Sequence, residues 1–133
     1  MKRELRMQRL ATSFRITFAI AAVLTASDAL AQSGAVRART SVECRSAGLE
    51  LDCTIKLTDA KTGAPLTGVS VTVGADMPSM PMMHNVKPVK AVAGAEPGTY
   101  QARLELEMSG AWAVKVDLAG PVRDRVIKSI RVE

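Results

Sequence analysis

The 133-residue chain has one histidine, two cysteines and 3% aromatic residues. It has no glycine-rich phosphate loop, no CxxC pair and no apolar run of about 20 residues, the length a membrane-spanning helix needs. Each shortage excludes something. A single imidazole with no partnered nucleophile leaves no nucleophile–base constellation, so we expect no enzyme. Both phenylalanines, Phe14 and Phe18, fall in the N-terminal segment, and only Tyr100 and Trp112 remain beyond it. That removes stacking platforms for bases or sugars. No helical apolar stripe competes with the period-two alternation that runs through the rest of the chain.

The N-terminal segment has the three parts of a secretory signal. Lys2, Arg3, Arg6, Arg9 and Arg15 stand against the single acid Glu4, and the apolar stretch Ile16 to Ala26 follows. The small residues of "ALAQ" predict cleavage after Ala31, giving a signal peptide over 1–31 and one domain over 32–133. No cysteine suits a lipid anchor there, and no adjacent arginine pair suggests the twin-arginine route. The expected destination is periplasmic or secreted, with no transmembrane segment in the mature chain. The leader takes five basic and two acidic residues with it, which leaves a net charge of +2. The high pI therefore belongs largely to the leader, and no long basic stripe remains for nucleic acid.

Cys44 and Cys53 flank "RSAGLELD" in a chain bound for an oxidising compartment. A two-residue turn at Gly48-Leu49, with glycine first, predicts a type II′ hairpin. Its register sets Cys44 opposite Cys53 at a non-hydrogen-bonded pair, where Cα atoms come closest. We therefore expect a cross-strand disulfide. Alternation continues in "VSVTVGA", "TYQARLELEM" and "AWAVKVDL", with glycine and proline between these runs and not within them. About seven strands at this spacing predict an immunoglobulin-like antiparallel β-sandwich. "EPGTYQA" looks like the tyrosine corner of such sandwiches, with Ala102 where an immunoglobulin domain has its second cysteine. Trp112 is expected in the core.

The chemistry gathers in "DMPSMPMMHN", residues 76–85, which holds four methionines, two prolines and His84. Thioether sulfur is soft and neutral and suits Cu(I), as does a neutral imidazole. Pro78 and Pro81 bias the loop towards polyproline II, which spaces Met77, Met80 and Met83 roughly 9 Å apart along one edge. Three sulfurs cannot meet one ion on a straight segment, so the loop must bend or borrow a ligand. The candidate metal ligands are Met77, Met80, Met82, Met83 and His84. Met80, His84 and one of Met82 and Met83 form the most compact set. Two other readings stay open: the methionines fill irregular gaps as a lid on the core, or they form an adaptable partner surface.

The order "KTGAPLTGVSVTV", "MPSMPMMH", "EPGTYQARLEL", "MSGAWAVKVDL" resembles the YtkA-like family of small exported domains, to which FixH-like proteins are related. The resemblance covers about residues 50 to 133. It implies an immunoglobulin-type sandwich at the cell envelope and a link to copper handling or to assembly of copper-containing oxidases. Copper-handling or oxidase-assembly proteins of the envelope become the candidate partners. Met77, Pro78, Met80, Pro81 and His84 are the loop positions that carry over. The chain departs from the FixH pattern in having no membrane anchor after the expected cleavage.

Overall fold

A computed structural model describes residues 35–133. The expected leader and its cleavage point lie outside the described residues. Eight strands follow one another: β1 (Ala38–Ala47), β2 (Glu50–Asp59), β3 (Ser70–Asp76), β4 (Asn85–Lys90), β5 (Val92–Ala93), β6 (Thr99–Glu105), β7 (Gly110–Ala119) and β8 (Asp124–Val132). They form two antiparallel four-stranded sheets, β1-β2-β6-β5 and β4-β3-β7-β8. This is the immunoglobulin order ABED against GFC, with one more strand beside C.

Alternation decides what is buried. On β2, Leu51, Cys53, Ile55 and Leu57 face inward, and Asp52, Thr54 and Lys56 face out. On β7, Trp112, Val114, Val116 and Leu118 meet them from the other sheet. A slip of one residue would turn each such row towards water, so register is strongly specified.

The first hairpin follows the expected register, with Ala47 opposite Glu50 and Cys44 opposite Cys53. Gly48 has φ +62°, and no non-glycine residue among those described has positive φ. That combination defines a II′ turn rather than I′. Cys44 and Cys53 are disulfide-bonded, with Cα atoms 4.1 Å apart. Ala102, opposite Cys53 on β6, is small and leaves the bridge its room. Removing the bridge in a Cys44→Ala/Cys53→Ala variant should cost about 2–3 kcal/mol for so short a loop. A thermal melt should record this as a fall of about 10 °C or more.

The antiparallel sandwich of about seven strands expected from the spacing is found. It has eight strands, because "NVKPVKAVA" supplies one to each sheet. Val89 pairs with Val73 on β3, Ala91 N–H still donates to the Val71 carbonyl at 2.8 Å, and Val92 pairs with Gln101 on β6. Pro88 cannot donate to a ladder and sits on the edge strand, beside a register shift between Val73 and Ala75.

One expectation is corrected: Tyr100 is the second residue of β6, the E position, and not of the strand that carries the immunoglobulin tyrosine corner. Its hydroxyl accepts from Val69 N–H at 3.2 Å and donates to the Leu66 carbonyl at 3.1 Å. The phenol thus ties the β2–β3 connection to β6 and does not close a turn a few residues upstream.

The open side between β1 and β8 is managed by a lysine. Lys128 pairs with Val114 on β7, so its register points it inward. Its Nζ donates to the Val42 carbonyl at 2.6 Å. Val42 lies two residues from the non-hydrogen-bonded cysteine pair, so that carbonyl faces the free edge of β1. An inward-pointing charge on an edge strand also discourages pairing with another chain.

Candidate functional site

The methionine loop joins β3 to β4 at one end of the sandwich. Met77 N–H donates to the His84 carbonyl at 3.1 Å and closes its neck. Inside the neck the chain turns twice. Met80 N–H donates to the Met77 carbonyl at 2.9 Å. The Met80 carbonyl accepts from Met83 N–H at 3.1 Å and from His84 N–H at 3.2 Å. Pro78 and Pro81 therefore occupy the second position of successive turns, where a fixed φ near −65° is preorganised. With no positive φ at Ser79 or Met82, the turns are of type I. The extended polyproline path expected from the two prolines is not taken. Each proline instead starts a turn, and the loop bends as a shared ion would require.

The second turn, 80–84, has the bonding of a single turn of α-helix. On such a turn residues i, i+3 and i+4 lie on one face, with Cβ atoms about 5–6 Å apart. Those positions are Met80, Met83 and His84. Met82 falls off that face and is 89% exposed. Met83 is 75% and Met80 37% exposed. Met77 goes the other way: it is 4% exposed, in the core cluster with Trp112. A Cβ built on Gly110 would come within 2.7 Å of its methyl carbon, so that methyl is seated under the start of β7. Of the five predicted ligands, then, Met80, Met83 and His84 stand at positions that share a face, with Met83 largely exposed there, Met82 projects into solvent away from it, and Met77 is part of the core.

His84 is anchored from a different loop. Its Nδ1 lies 2.7 Å from Oε2 of Glu107, on the β6–β7 connection. A carboxylate on one ring nitrogen fixes the tautomer and aims the other nitrogen, the usual second partner of a metal-binding histidine. Glu107 was missed in the sequence because 23 residues separate it from His84, and it reads there as one more outward acid of β6. Met108, the next residue, has little to single it out in the sequence. Its only signal is that it is the one methionine beyond the leader that lies outside the loop.

Asp76 is not free for a metal, because its carboxylate is paired with Lys115. Among the described residues no three His, Cys, Asp or Glu side chains come together as a metal-holding group. Any ion here has to be held chiefly by thioethers, and the donor set is soft. Elsewhere on the surface, backbone N–H groups of Lys61 and Thr62 hold the Asp59 carboxyl below the usual carboxylate range. This is turn chemistry at the start of the β2–β3 connection.

No curated protein matches the chain. A family model described as YtkA-like matches residues 47–117, from the end of β1 into β7. That span covers more than half of the 133 residues, the two turns of the methionine loop and the Glu107 connection, and this protein belongs to the YtkA-like family.

Proposed function

We propose that this YtkA-like sandwich is an exported Cu(I)-binding protein of the cell envelope, a non-enzymatic carrier or accessory in copper handling. The observation that carries the reading is the His84–Glu107 contact, 2.7 Å across two loops, beside a helical turn that aligns Met80, Met83 and His84. The Glu107 carboxylate accepts a hydrogen bond from Nδ1–H and leaves Nε2 as the donor atom. Met80 and Met83 supply neutral soft sulfur, which needs no deprotonation to bind and so holds metal at mildly acidic pH. Copper supplies a soft ion that such a set prefers over hard divalent cations. The leader expected over residues 1–31 and the disulfide both suit an oxidising compartment. Partners in that setting are copper-handling or oxidase-assembly proteins.

Met77 is left out of the ligand set. Its burial favours the core-capping reading for that one residue, and Met82 lies off the shared face, 89% exposed.

Competition for Cu(I) against a chromophoric chelator tests the proposal. The native protein should take one equivalent. Met80→Leu/Met83→Leu, which conserves apolar volume, should weaken binding about 100-fold or more, a loss of roughly 3 kcal/mol. Glu107→Gln keeps a neutral acceptor but not the charge, and should weaken it about 10-fold. A native protein that leaves the chelator its copper ends the copper reading.

A further inference from the structure

We infer that Met108 is a ligand of the same site, so that the ion is gripped from both the β3–β4 and the β6–β7 loops. This rests on the Cu(I) reading above. Met80, Met83 and His84 come from one face of one turn, which leaves the opposite side of an ion open to water. The neighbouring segment tied to this turn is the β6–β7 connection, held to it by the His84 Nδ1–Glu107 Oε2 contact at 2.7 Å. Met108 is the next residue, about 3.8 Å on from Glu107 at Cα. Its neighbours in the chain are used for packing, since Leu106 and Trp112 are buried. Met108 itself is 38% exposed, close to the exposure of Met80, so its thioether is not consumed by the core. Its backbone is held in place: the Trp112 indole N–H donates to the Met108 carbonyl at 3.1 Å, and Leu106 N–H donates to the Leu49 carbonyl at 2.8 Å. A soft donor on a fixed backbone thus stands one residue from the carboxylate that anchors His84. Three thioethers and one imidazole then meet the ion, and binding pins the loop of one sheet to the connection between the two.

The test follows the methionine methyl groups by NMR. The full, disulfide-bonded chain is labelled with 13C at those methyls, and each signal is assigned by single substitution. Ag(I), a soft ion with no redox chemistry under these conditions, is titrated to one equivalent. The signals of Met80, Met83 and Met108 should move together and saturate at 1:1, and that of Met77 should stay. Met108→Leu, which conserves apolar volume, should raise the Kd for Cu(I) about tenfold with the melting temperature of the metal-free protein unchanged. Movement of Met80 and Met83 without Met108, or an unaltered Kd in Met108→Leu, overturns this inference and leaves the one-loop site standing. No movement of any of these signals, with no copper taken from the chelator, overturns both.

Discussion

Trp112→Ala is expected to lose about 3–5 kcal/mol, the range for emptying a large aromatic site in a core. Trp112 is 1% exposed and the largest fully buried side chain among the described residues. It belongs to a core cluster that draws on both sheets, so its removal leaves a cavity that two hydrogen-bonded sheets cannot collapse to fill. The Met108 carbonyl also loses its indole donor. Trp112→Phe separates the two contributions: it keeps a ring, loses the N–H, and should cost about 1–2 kcal/mol. Denaturant unfolding followed by circular dichroism measures both, and the alanine variant should melt about 15 °C or more below the native protein. A loss under 1 kcal/mol for Trp112→Ala would mean that the ring is not the keystone of the core.

Gly98→Ala should be the other severe change, at about 3 kcal/mol, although it adds one methyl group at a turn. Glu96-Pro97-Gly98-Thr99 is a type II turn: Thr99 N–H donates to the Glu96 carbonyl at 3.1 Å, and Gly98 has φ +76°. An alanine in that conformation costs about 1–2 kcal/mol by itself. The added Cβ would also lie 2.7 Å from the Leu57 carbonyl oxygen and 2.9 Å from Cβ of Pro65. That oxygen accepts from Leu66 N–H, and Leu57 N–H donates to the Gly98 carbonyl at 2.8 Å. The clash therefore disturbs bonds on both sides of the turn. Gly63 provides the control. Its φ is +74°, almost the same, yet a Cβ there meets nothing within 4 Å. Gly63→Ala should show the backbone cost alone, about 1–2 kcal/mol. Equal losses in the two variants would show that close approach contributes nothing at Gly98.

The parts of this protein that could be read in advance are those whose cause is local. The cysteine pair is nine residues apart around a turn whose first glycine dictates its type, so hairpin register and disulfide follow from counting. The inward rows of β2, β6 and β7 follow from alternation, which needs no knowledge of the partner strand. The methionine loop was legible as a cluster of donors, but its path was not. Proline fixes its own φ and is compatible with both an extended helix and a type I turn. The carbonyls of Met77 and Met80 settle the matter through bonds that composition does not encode.

Tyr100 shows the same boundary. Its motif marks a tyrosine that ties down backbone, but the atoms it ties, at Leu66 and Val69, lie more than 30 residues earlier. So its strand was assigned to the wrong place in the sandwich.

Order of apolar and polar residues, turn chemistry and cysteine spacing determined by themselves that the chain makes a disulfide-stapled β-sandwich with its soft donors in one loop. Only the tertiary structure decided which donors share a face, that Met77 belongs to the core, and that Glu107 stands against His84. Side-chain alternation and turns are set by neighbours along the chain, whereas a contact between two loops depends on how both sheets twist and stack to bring their ends together.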